Sequence, residues 1–214
     1  MNKDFIIEET KDFVKSKLEG EGSGHDWWHI YKVWNNAKHI NEHENADGFI
    51  VELGALLHDI ADWKFHSSDV GPRIATEHLE SLGVDKKTID QVCEIINTIS
   101  FKGAGSEKPM KTVEGKIVRD ADRLEALGAI GIARCFAYGG HKGNPIYVPN
   151  FKARDNMNFE EYKKESSQIN HFYEKLLLLK DLMLTETGKK IAMRRHEFLE
   201  EYLKQFFLEW DGKA

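Results

Sequence analysis

The sequence predicts an all-α fold, a single helical domain spanning residues 1–214, and three observations carry that prediction. Apolar residues recur every three or four positions almost throughout, period-2 alternation over four or more residues is scarce, and only 4 prolines interrupt 214 residues. Short extended pieces are expected only near Ile146–Val148. With ordinary helix lengths, roughly seven to nine helices are expected.

The first helix carries Ile6, Phe13, Val14 and Leu18 on one side and stops at Gly20-Glu21-Gly22. A second runs from about Asp26 to Glu42, with Ile30, Val33, Trp34, Ala37 and Ile40 as its inward stripe. Residues 51–61 are apolar nearly all round, which predicts a helix buried at the centre. Gly71-Pro72 opens the next helix, because proline suits a first turn, and Gly83 closes it. Asp85 to Ser100 follows with Ile89, Val92, Ile95, Ile96 and Ile99 at helical spacing, then a Gly/Ser/Pro-rich loop from Lys102 to Lys111. One helix is expected from about Val113 to Tyr138, a long surface excursion from Gly139 to Asn158, and two amphipathic helices over about Phe159–Leu184 and Glu186–Trp210, broken at Thr185-Glu-Thr-Gly.

Composition narrows the function classes. A hydrophobic fraction of 41% with 31% charged residues describes an ordinary globular chain. The net charge of −6 leaves no basic surface for a nucleic-acid duplex, although a local Lys/Arg cluster beside a metal can still hold phosphates. The first twenty residues read as neither a signal nor a transit peptide, and the longest strongly apolar run, Leu176–Leu179, is far short of the roughly 20 residues of a membrane span. Cys93 and Cys135 lie in apolar stretches without a CxxC partner, so they read as small buried thiols in a cytoplasmic protein.

Three clusters can carry chemistry. His58-Asp59 ends the central apolar run, where a carboxylate needs a partner or a metal to be tolerated. Adjacent helix positions lie about 100° apart, so both side chains can reach one ion at a cleft rim, and Asp62 falls on the same side of the helix. A hydrogen-bonded His–Asp pair with only a structural role is the competing reading. The second cluster, around Asp120, Asp122, Arg123 and Glu125, sets charges among small and apolar residues; the two aspartates, two apart, cannot share a helix face. The third is His25-Asp-Trp-Trp-His29, whose histidines are four apart on one face. His39, His43, His78, His171 and His196 read as surface or half-buried histidines.

Taken together, His29, His58-Asp59 and Asp122 give the order H…HD…D, which resembles the signature of the HD-domain superfamily of metal-dependent phosphohydrolases. GHDWWHIYKVW, LLHDIADWKF, ISFKG, IVRDADRLEALGAIGIAR and LTETGKKIAMRRHEFLEEYLKQF extend that resemblance, from about residue 20 to 210, to a bacterial branch of small stand-alone HD proteins. The resemblance implies a helical domain in which His29, His58, Asp59 and Asp122 bind one divalent metal. Asp122 is preferred over Asp120 because the family's last aspartate usually precedes a basic residue and a leucine, as in Asp122-Arg123-Leu124. Asp120 is then a candidate for a place behind the ligands or in the substrate site.

A His₂Asp₂ set suits Mn²⁺ as the preferred ion, with Mg²⁺, Co²⁺, Ni²⁺, Fe²⁺ or Zn²⁺ as alternatives, and excludes a closed cysteine site. Asp62 is expected to orient or deprotonate water, or to protonate the leaving group. Lys64, Lys102, Arg123 and Arg134 are the candidate phosphate cations; Arg123 and Arg134, roughly three turns apart, are expected on one helix face. His66 is a candidate donor to substrate. Trp27 and Trp28 are expected in the core rather than against a base. The implied activity is hydrolysis of (deoxy)nucleoside triphosphates to monophosphate and pyrophosphate. A nucleotidase or phosphodiesterase, or a non-catalytic nucleotide- or metal-binding module, is the alternative. The expected partner is a small nucleotide, with no duplex and no membrane, and the chain a monomer or homodimer.

Overall fold

The computed structural model describes residues 2–18, 26–61, 69–99, 109–154 and 166–214. The architecture is all-helical: nine α-helices, one 3₁₀ helix and no strand among the described residues. These are α1 (Lys3–Leu18), α2 (Trp27–Glu44), α3 (Gly48–Leu57), α4 (Val70–Ser81), α5 (Lys86–Ile99), α6 (Val113–Leu124), α7 (Gly128–Lys142), α8 (Gln168–Glu174), the 3₁₀ helix Leu176–Leu182 and α9 (Glu186–Trp210). The chain forms two compact units, one comprising Met1–Lys102 with Ser106–Asp122, the other containing Arg123–Ala214.

In the first unit α3 is the central element. Val51, Leu53, Ala55, Leu56 and Leu57 are all fully buried, so almost every face of the helix meets protein. It packs against α1, α2 and α5, while α4 packs on α5. Each buried Leu or Ile side chain in this layer contributes about 1.5–3 kcal/mol relative to exposure. Gly54 permits the closest approach: a methyl there would lie 3.0 Å from Ile95 Cδ1 and 3.4 Å from Val118 Cγ2. Asp47 caps α3 by accepting a hydrogen bond from the Phe49 amide.

The second unit packs α7, α8, the 3₁₀ helix and α9 around Phe172, whose ring stacks on Tyr202 at 5.7 Å. Ser167 and Thr185 cap α8 and α9, accepting from the amides of Asn170 and Gly188. Glu174, buried, takes a forked ion pair from Arg154 that also draws on the Arg154 amide.

Two expected helices take a different form. The segment expected as one helix from Val113 to Tyr138 is broken after Leu124, where Ala126 and Leu127 make short-range turn bonds to Arg123 and Leu124. Gly128 then adopts φ +70°, which a side-chain-bearing residue resists, and Arg195 fills the exposed end by donating to the Leu124 carbonyl at 2.6 Å. Arg123 and Arg134 therefore lie on different helices. The expected helix over Phe159–Leu184 falls partly outside the described residues, and its remainder is α8 followed by a 3₁₀ helix. Leu176 and Leu179 are buried three residues apart, the repeat of a 3₁₀ rather than an α-helix. Near Ile146–Val148 the chain forms no strand; Pro145 and Ile146 instead accept hydrogen bonds from the first amides of α8.

Candidate metal centre

Three elements of the first unit deliver the candidate ligands. Asp26 caps α2, accepting from the His29 amide at 2.9 Å, and so fixes the first turn that carries His29. His29 faces inward with Ile30 and Val33 and is buried. Asp122 comes from the last turn of α6, where Asn36 of α2 donates to the neighbouring Ala121 carbonyl at 3.4 Å.

His58 and Asp59 lie just past the end of α3 rather than within a continuing helix. His58 is the C-terminal cap, and its Nδ1 lies 2.8 Å from the Ala55 carbonyl. That bond occupies the carbonyl at the helix end, while the Ile60 amide closes a tighter turn onto the Leu57 carbonyl. A carbonyl only accepts, so Nδ1 carries the proton and Nε2 presents its lone pair.

The four side chains converge. His29 Nε2 lies 3.6 Å from Asp59 Oδ2 and 3.5 Å from Asp122 Oδ1; His58 Nε2 lies 3.6 Å and 3.9 Å from the same two oxygens. These separations are too long for good hydrogen bonds. They fall between the roughly 3 Å and 4 Å spacings of neighbouring and opposed ligands on an ion with bonds of about 2.1 Å. His58 Nε2 is buried with no hydrogen-bond partner among the described residues, a costly state for a polar atom that a metal bond would relieve. Burial lowers the His29 pKa, against the opposing pull of Asp59 and Asp122, and so favours the neutral imidazole a metal requires. His29, His58 and Asp59 could hold a metal ion with ligand atoms all within 4.8 Å of one another, and Asp122 adds a second carboxylate to the same space. This donor set fits a divalent first-row ion.

The side chains at Asp120 and Asp122 occupy different surroundings. Asp122 is 36% exposed and faces the imidazoles, whereas Asp120 is fully buried. Asp62, Lys64, His66 and Lys102 lie outside the described residues, as does His25. Within the second unit, Arg123 is buried and its guanidinium donates to the Leu182 carbonyl, while Arg134 is half-buried on α7. Trp27 is half-buried, but Trp28 is 64% exposed, contrary to the core placement expected for it. Position 28 sits about 200° around the helix from Ile30 and therefore opposite the buried stripe.

Two supports of the site escaped the sequence argument. Asp26 had a readable signal, an aspartate directly before an apolar periodic run. The Ala55 carbonyl had none, because backbone acceptors are not encoded by residue type.

Comparison with known proteins identifies the family. The HD domain family model matches residues 27–127, which contain all four candidate ligands. Bacillus subtilis YpgQ is 39% identical over 201 residues, covering 92% of this chain and 90% of YpgQ. The crystal structure of an HD-superfamily hydrolase from Bacillus thuringiensis is 43% identical, with a TM-score of 0.81 over 98% of this chain and 99% of that one. YpgQ crystallised in complex with ADP gives a TM-score of 0.77 at 37% identity, over 97% of this chain and 100% of that chain. The chain belongs to the HD-domain superfamily, among its small stand-alone hydrolases. No described helix is long and apolar enough to cross a membrane.

Proposed function

We infer that the protein is a divalent-metal-dependent phosphohydrolase that cleaves (deoxy)nucleoside triphosphates to monophosphate and pyrophosphate. The observation that carries this reading is the convergence of His29 Nε2, His58 Nε2, Asp59 Oδ2 and Asp122 Oδ1 within 3.5–3.9 Å of one another across the two residue types. The ADP bound by YpgQ supports a nucleotide as the ligand class.

His29, His58, Asp59 and Asp122 would hold the ion, with Mn²⁺ preferred. When bound, such an ion supplies Lewis-acid polarisation of a phosphoryl oxygen and eases deprotonation of water near neutral pH. The chain's own residues supply position and proton transfer. The two carboxylates offset the ion's charge, and the Ala55–His58 bond keeps one imidazole aimed at it. Water adds to the α-phosphorus, the bond to the oxygen bridging the α- and β-phosphorus breaks, and pyrophosphate leaves with that oxygen. Asp62 takes the proton from the water or returns one to a leaving oxygen. Lys64 and Lys102 offset the phosphate charge as it develops.

The test is a panel of nucleoside mono-, di- and triphosphates and cyclic nucleotides incubated with Mn²⁺, with products identified by ³¹P NMR. Pyrophosphate from triphosphates is the expected product. Inorganic phosphate from monophosphates would instead make the protein a nucleotidase, and a monophosphate from cyclic nucleotides would make it a phosphodiesterase. Nucleotide binding without any product would leave a non-catalytic module.

A further inference from the structure

A second group of metal-ligating side chains lies on the same helix as His29 but outside the centre described above. His39, Glu42 and His43 occupy the C-terminal half of α2 at positions i, i+3 and i+4, so all three project from one face. Each is exposed, and one donor atom from each lies within 4.8 Å of the others. His39 Nδ1 sits 3.1 Å from Glu42 Oε2, and the His39 and His43 rings stand edge to face with centroids 5.9 Å apart. The cluster is about 15 Å from His29 along the helix axis, too far to share an ion with it.

We propose that His39, Glu42 and His43 form a separate surface site for an imidazole-preferring transition ion, Zn²⁺, Ni²⁺, Co²⁺ or Cu²⁺. Two imidazoles and one carboxylate favour these ions over Mg²⁺ or Ca²⁺, which prefer all-oxygen shells. Helix geometry fixes the two histidines one turn apart before any ion arrives, so little ordering is needed. The helix adds a further attraction. His43 lies in the last turn of α2, where the partial negative charge of the C-terminal carbonyls stabilises a cation. Glu42 either completes the ligand set or holds the His39 ring in place, the part a carboxylate beside a ligating imidazole commonly plays. Three protein donors on an exposed face leave the remaining coordination positions open to water or to a donor from another molecule.

The two sites therefore separate by ion. Mg²⁺ leaves the surface triad empty, whereas Zn²⁺ or Ni²⁺ fills both, so metal titrations with different ions give different stoichiometries.

The test is calorimetric titration of the untagged, metal-stripped full-length chain with Zn²⁺, alone and as the His39→Ala/His43→Ala, Glu42→Gln and Asp59→Ala variants. The expected result is that the double variant binds one equivalent fewer than the parent and keeps its Mn²⁺-supported hydrolysis. Glu42→Gln should weaken the same equivalent by about 10–100-fold. Asp59→Ala should retain that equivalent. Unchanged Zn²⁺ stoichiometry and affinity in the double variant would overturn the proposal. The proposed catalytic centre is judged separately: Zn²⁺ binding that Asp59→Ala leaves untouched, but that the double variant abolishes, would support the surface site and count against the HD centre.

Discussion

His58 Nδ1 lies 2.8 Å from the carbonyl oxygen of Ala55, one turn earlier in the chain, and that contact sets the direction of the imidazole. It fixes the proton on Nδ1 and leaves Nε2 facing Asp59 and Asp122. Long-range ¹H–¹⁵N correlation spectra of the metal-free chain should therefore show His58 as the Nδ1–H tautomer, with its Nε2 resonance moving on addition of Zn²⁺. An Nε2–H tautomer would contradict the arrangement.

The roles of Asp59 and Asp62 separate under substitution. Asp59→Ala should remove metal binding at the His29, His58 and Asp122 centre, and with it turnover, while the far-ultraviolet circular dichroism stays helical. Asp62→Ala should bind metal with unchanged affinity yet turn over about 10²–10⁴-fold more slowly, the range for loss of a general acid or base. Metal affinity lost together with turnover in Asp62→Ala would make Asp62 a ligand.

Gly131 lets helix α7 begin directly against the turn at Ala126. A methyl at Gly131 would fall 2.3 Å from the carbonyl carbon and oxygen of Ala126, atoms that cannot move without shifting the turn. A methyl at Gly139 would meet the Gln168 side chain at 2.2 Å, which can rotate away at the expense of its 3.3 Å contact with Cys135 Sγ. Gly131→Ala is expected to lose about 1–3 kcal/mol in urea unfolding despite the higher helix propensity of alanine, and more than Gly139→Ala loses. Equal stability of Gly131→Ala and the parent would show that the turn at Ala126 is not constrained as described.

His171 makes the second unit sensitive to acid. Burial, reinforced by Lys175 and Arg154 and opposed by Glu174, pushes its pKa down to about 4. In the unfolded chain the same imidazole titrates near 6.5. Between those values the unfolded chain binds the extra proton, so this stability is present above about pH 6.5 and is lost as pH falls towards 4. The urea midpoint of the parent should fall more steeply from pH 7 to pH 4.5 than that of His171→Gln. Parallel profiles would remove His171 as the cause.

Much of this organisation was legible in the sequence, and the exceptions share a cause. Periodicity places α2, α5 and α9 within a few residues, because each has one continuous apolar stripe and a capping or turn residue at an end, such as Asp26 or Thr185. It merges α6 with α7, since the apolar spacing runs on through Leu127 while only the left-handed Gly128 marks the break. It also reads an α-helix at Leu176–Leu182, where four consecutive leucines satisfy either period and packing selects the tighter one. At the site, residue order identified His29, His58, Asp59 and Asp122 as a set. Their spacing along a helix did not predict that His58 and Asp59 sit in the turn after α3, because that turn depends on a side-chain bond to a backbone carbonyl.

In the proposed centre, one divalent ion is held jointly by these four side chains. Crystals soaked with Mn²⁺ and a non-hydrolysable nucleoside triphosphate analogue, measured for anomalous scattering from manganese, test it directly. The expected result is one strong peak bonded to His29 Nε2, His58 Nε2 and oxygens of Asp59 and Asp122, with the analogue's phosphates against it. A peak ligated by other residues, or no peak at this position, would contradict the claim.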